Sequence, residues 1–172
     1  VPVHQADRQV PVHYAAVLTL QGDWTRADAE LAAAMGTLSA TRPVWAGEGT
    51  LRLAELRRRQ GRLDEASRLF ARVSPHPVAL LGQAELALAN GDPVAADQLV
   101  DRFLRRVPIQ DRTERARGLE VAIRVKVALG ALDHARAHLA ELESAVALVA
   151  TEPLWASVSF ARGSVAAAAG DL

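Results

Sequence analysis

The chain has 172 residues, half of them hydrophobic but only 4% aromatic, and its 20 basic and 20 acidic side chains leave no formal net charge. That balance argues against a nucleic-acid-binding surface, which carries a basic excess on one face, and the absence of cysteine excludes disulfides and thiol chemistry. No apolar run approaches the roughly 18 residues that span a bilayer, and no basic start with an apolar core marks a signal peptide, so no membrane partner is expected and the cytoplasm is the expected compartment.

With so few rings, the core must be built from Ala, Leu and Val. Ala and Leu favour helix, as do the Arg and Glu that dominate the charged set. No stretch alternates β-branched and polar residues, so strands are not expected and the fold class is all-α. In chain order, apolar periodicity predicts helices at about 8–21, 24–39, 43–60, 63–73, 77–90, 93–106, 113–129, 132–149 and 153–169. The first ends at Gly22, where Asp23 can cap the second. Thr41 is the expected N-cap of the third, which closes on Arg57, Arg58 and Arg59. Such cations complement the helix dipole and need no DNA to explain them. Gly61 starts the next turn, and Ser74-Pro75-His76-Pro77 cuts the fourth helix short. Gly91-Asp92-Pro93 repeats the turn with a proline suited to the first helical position. Arg102, Arg105 and Arg106 close the sixth helix before Pro108. Thr113 and Thr151 are the expected N-caps of the seventh and ninth.

These elements hide a repeat. Gly22-Asp23-Trp24-Thr25-Arg26-Ala27, Gly61-Arg62-Leu63-Asp64-Glu65-Ala66, Gly91-Asp92-Pro93-Val94-Ala95-Ala96, Gly130-Ala131-Leu132-Asp133-His134-Ala135 and the shorter Gly170-Asp171-Leu172 share one pattern, with glycines 39, 30, 39 and 40 residues apart. A small residue five positions after each of the first four glycines lets two helices approach closely. Apolar residues follow at Leu31, Phe70, Val100 and Leu139, and three further on at Ala34, Val73, Phe103 and Leu142, which is one helical face. Seven positions before the glycines stand Ala15, Ala54, Ala84, Ile123 and Gly163.

Gly-x-Leu-Asp-Glu-Ala followed by Phe70 resembles the turn and second helix of a tetratricopeptide repeat, and Pro108 falls where that family often ends a helix. The resemblance covers nearly the whole chain and implies a right-handed superhelical solenoid of antiparallel helix pairs, about four and a half repeats in a single domain over 1–172. The spacings depart from the family's period of about 34 residues. The Ala/Arg/Leu-rich style also resembles the helical repeat regions of large LuxR-type bacterial regulators. The chain begins without Met and has Lys126 as its only lysine, and it is read as a fragment of a longer protein.

No phosphate loop, nucleophile elbow or acid/base dyad stands out, so no enzyme activity, no cofactor and no metal are expected. His134, His138 and Glu141 share a helix at a spacing that can hold a metal, but they are read as surface residues, and His4, His13 and His76 have no evident partners. Trp45 and Trp155 are expected to pack. The resemblance implies a binding groove lined by first helices, with candidates Glu48, Leu51, Glu55, Arg59, Leu81, Glu85, Arg117, Glu120, Arg124 and Phe160, joined by Ser157 and Ser164. Expected partners are a protein or peptide or a small-molecule effector, with no direct nucleic-acid contact. A face near Leu154, Val158 and Val165 is expected to meet further residues or to drive a homodimer.

Overall fold

The computed structural model describes the backbone of residues 10–41, 43–74 and 76–171 and the side chains of 11–36, 46–74 and 76–171. Every regular element among them is an α-helix: α1 Val10–Gln21, α2 Trp24–Thr41, α3 Pro43–Arg59, α4 Leu63–Arg72, α5 Pro77–Ala89, α6 Pro93–Arg106, α7 Arg112–Ala128, α8 Leu132–Val149 and α9 Glu152–Ala169. The expected helices are all present, with ends shifted by one or two residues.

All five turn glycines adopt left-handed backbone, with φ of 84°, 75°, 76°, 69° and 79° at Gly22, Gly61, Gly91, Gly130 and Gly170. Each closes its helix in the same way. The Gly N–H donates to the carbonyl three residues back, and the next N–H donates to the carbonyl five residues back, as in Gly22 to Thr19 with Asp23 to Leu18, and Gly170 to Ala167 with Asp171 to Ala166. This double bond is the Schellman termination, which any Cβ would strain. After the first four the next helix starts at once, and the alanine five residues after each of those glycines (Ala27, Ala66, Ala96, Ala135) is fully buried.

The N-caps differ in part from expectation. Asp23 and Asp92 act as foreseen, their carboxylates accepting from the Arg26 and Ala95 N–H groups. Asp111, not Thr113, caps α7 by accepting from Glu114 N–H, because α7 begins at Arg112 and Thr113 lies inside its first turn. Thr151 occupies the α9 cap position without a side-chain bond. Thr41 is the last residue of α2 rather than a cap of α3. Its side chain, that of Trp45, His4 and the expected helical positions 8 and 9 lie outside the described residues.

The described chain divides into two compact units, one up to Gly82 and one from Gln83, so that α5 crosses the boundary. In the first, α1 packs on α2, α2 on α3, α3 on α4, and α1 also reaches α3. Its core centres on Ala15, Leu18, Ala27, Leu31 and Leu56, with Leu53 against it. In the second, α6 packs on α7, α7 on α8 and on α9, and α8 on α9. Its core joins Leu119, Ile123, Ala135, Leu142, Val146, Val158, Ala161 and Val165. Burying each such Leu or Val contributes about 1.5–3 kcal/mol. Val158 and Val165 therefore belong to the interior, which corrects the expectation of an open face there; both sit under α7 and α8, and Leu154 packs against the same cluster.

The two units share one plan at an offset of 69 positions. Gly22 matches Gly91, Asp28 matches Asp97, Gly49 matches Gly118, Arg57 matches Lys126, and Gly61 matches Gly130. Large side chains pack onto glycines of the following helix: a Cβ at Gly82 would overlap the Phe70 ring, and one at Gly118 would overlap that of Phe103. Phe70 and Phe103 are fully buried, whereas Tyr14, Trp24, Trp155 and Phe160 are exposed. Trp155, 42% exposed, thus does not pack as expected.

Candidate partner-binding face

The candidate residues stand on the odd-numbered helices, and each unit presents its own set. In the first unit, α3 carries Glu48, Leu51, Glu55 and Arg59. Glu48 pairs with Arg52 at 2.7 Å. Glu55 is half-buried and accepts from Arg58 Nε and Nη2 at 2.8 Å each and from Arg59 Nε at 2.7 Å. Burial alone would raise its pKa, but the hydrogen bonds and charges of Arg58 and Arg59 outweigh it and hold the carboxyl below the usual carboxylate value. Arg59 is exposed. Leu51 and Leu81 are only 4% and 5% exposed, so they form core rather than a contact surface.

That burial had a signal in the sequence. Leu51 and Leu81 stand ten residues before a turn glycine, as does Val12, which is also buried. Glu120 and Phe160 occupy the same register; Glu120 is half-buried and Phe160 is 59% exposed.

In the second unit, α5 contributes Glu85, α7 contributes Arg117, Glu120 and Arg124, and α9 contributes Ser157, Phe160 and Ser164. Arg124 Nη1 lies 3.5 Å from a Glu85 oxygen, linking α7 to α5. Arg117 is exposed and donates to both Glu114 oxygens at 3.0 and 3.2 Å. Ser164 donates to the Phe160 carbonyl. In this unit α7, which carries the arginines, packs on α9, which carries the exposed Phe160 ring. Its charges are largely compensated within the face, and such exposed pairs contribute about 0–1 kcal/mol each to stability.

Two features that sequence reasoning missed lie on the opposite side of the same helices. Arg57, with only 11% of its side chain exposed, donates to both Asp28 oxygens at 2.8 Å and to Gln60, and it lies 3.4 Å from Glu65, so one guanidinium ties α3 to α2 and α4. At the equivalent place Lys126 Nζ lies 2.7 Å from Asp97 Oδ1 and donates to Oδ2 at 2.8 Å. Each pair is separated by 29 residues, beyond the local spacings that reveal helix-surface pairs; only aligning the repeats brings it out.

His134 is exposed, but His138 and Glu141 are half-buried, a departure from the expected surface position. Glu141 is held by Arg115 Nε from α7. Among the described residues no group of three or more His, Asp or Glu side chains is placed to hold a metal ion, and no helix is long and apolar enough to cross a membrane. Compared with protein-family models, with characterised proteins and with solved structures, the chain finds no match.

Proposed function

We propose that the chain is a tetratricopeptide-like module that winds as a right-handed superhelix of helix pairs and binds a protein or peptide segment, or a small effector, without catalysing a reaction. The observation that carries this reading is the turn repeated five times with one backbone geometry. Stacked helix pairs expose first-helix side chains, the usual binding surface of such repeats. Arg117, Arg124 and Phe160 supply forked donors suited to carboxylates and an aromatic anchor of the kind that concentrates binding energy.

Selection of binding peptides against the folded chain tests it. Binders that lose about tenfold or more in affinity on Arg117→Ala or Phe160→Ala, and none on the exposed second-helix changes Arg68→Ala or Arg136→Ala, support the reading. Binders that respond only to the second-helix changes would sink it. In its larger setting the module is the sensing arm of a bacterial transcription regulator, by its likeness in style to LuxR-type repeat regions. The reading frame that encodes it decides that point: a helix-turn-helix in the same frame supports the regulator, and its absence leaves an independent scaffold.

A further inference from the structure

The two units differ at one matching joint between helices. In the first, α2 packs on α3, and in the second, α6 packs on α7. Each joint closes onto a glycine inside the later helix, Gly49 in one and Gly118 in the other, and these two stand at the shared offset. At Gly118 the Phe103 ring and Leu104 both occupy the space of a Cβ. The matching residues of the first unit are Ala34 and Met35. Ala34 packs with Val12, and the thioether arm of Met35 lies on the glycine: a Cβ at Gly49 would fall 3.2 Å from Met35 Cγ and 3.7 Å from Sδ. One soft, flexible side chain therefore fills a contact that two carbon side chains share in the second unit.

Met35 is the only methionine of the chain. It is half-buried, while Gly49 and Thr50 beneath it on α3 are buried. Its sulfur is thus partly open to a small oxidant, yet it lies against backbone that water does not wet. An oxygen added there becomes a polar acceptor at a packed joint, and the Thr50 hydroxyl already donates to the Ala46 carbonyl at 2.7 Å. An unpaired polar group in such a place is costly.

We propose that Met35 is a reversible oxidation site that controls the α2–α3 joint of the first unit. The oxidant is a hydroperoxide. A sulfur lone pair attacks one peroxide oxygen, an S–O bond forms as the O–O bond breaks, and the departing oxygen takes up the proton and leaves as water or an alcohol. The sulfur is oxidised to the sulfoxide and the peroxide is reduced. A methionine sulfoxide reductase, drawing on a dithiol, reverses the change. The sulfoxide no longer packs on Gly49, so α2 loosens on α3 while the second unit, with Leu104 at this place, is unaffected.

Hydrogen peroxide added to the whole chain tests this, with peptide mass mapping to locate the added oxygen and hydrogen exchange to read the helices. Oxidation at Met35 lowers the protection of α2 and α3 amides by about tenfold or more, α6 to α9 keep theirs, and reductase treatment restores the first unit. Met35→Leu, which installs the residue of the second unit, keeps full protection in peroxide. Leu104→Met, a swap of similar volume, brings the sensitivity to α6 and α7. Met35→Gln shows the loss without any oxidant; should it fail to fold, the peroxide response of Met35→Leu gives the answer. A Met35 that stays unoxidised under peroxide that converts free methionine, a sulfoxide that leaves α2 and α3 protected, an undiminished loss in Met35→Leu, or a loss spread equally over both units would overturn the proposal.

Discussion

Gly118 sets two physical effects against each other, and a single substitution measures which prevails. It lies inside α7, where alanine is favoured over glycine by about 1 kcal/mol on helix propensity alone. A Cβ there would fall 2.6 Å from Phe103 Cδ1 and 2.9 Å from Leu104 Cδ2, and would come closer still to Phe103 Cε1. Phe103 is 0% exposed, so the ring has no solvent to retreat into. Overpacking of this kind costs about 1–3 kcal/mol, and contacts under 3.0 Å with a buried ring put it toward the upper end. Gly118→Ala should therefore destabilise the chain by about 1–2 kcal/mol net, or lower its Tm by about 2–8 °C for a chain of this size. Urea unfolding followed by circular dichroism reads the change. Gly163→Ala is the matched control: it is also mid-helix, but a Cβ there meets nothing within 4 Å, so it should stabilise by about 1 kcal/mol. Combining Gly118→Ala with Phe103→Leu should relieve much of the clash and show as non-additive energies. If Gly118→Ala stabilises the chain as much as Gly163→Ala does, the close-approach argument is wrong.

Leu51→Ala should cost about 2–4 kcal/mol in thermal or urea unfolding, whereas Phe160→Ala, on an exposed ring, should cost less than about 1 kcal/mol and act on binding instead. Ala150, left-handed at φ 50° after α8, is strained as a non-glycine residue, so Ala150→Gly should raise stability by about 1 kcal/mol by the same assay. The Asp28 carboxyl is held below its ordinary 3.8, first by the hydrogen bond from Arg57, with burial opposing and the charges of Arg57 and Arg62 assisting. Its contribution is thus fully present above that ordinary value and is lost as the pH falls through the depressed one, so Asp28→Asn should flatten the acid limb of a stability-versus-pH curve. Arg57→Met, which leaves Asp28 partly solvated, should cost about 1–2 kcal/mol, read as a shift in the urea midpoint.

The local grammar of this chain was legible because it is local. A glycine followed by Asp, Arg or Ala determines a left-handed termination, which five glycines adopt with one geometry, and after four of them an apolar pattern starts a new helix within a few residues. The buried alanines at 27, 66, 96 and 135 follow from that register. Tertiary structure decided what lies over each helix. Leu51, Leu81 and Phe160 share one register, yet two are core and one is exposed, because exposure depends on whether another helix covers the position rather than on the residue itself. The Asp28–Arg57 and Asp97–Lys126 pairs join residues 29 apart, and Gly118 is constrained by a ring fifteen residues earlier. Such contacts arise from packing between helices, whose energies depend on distances in space that no spacing along one helix encodes.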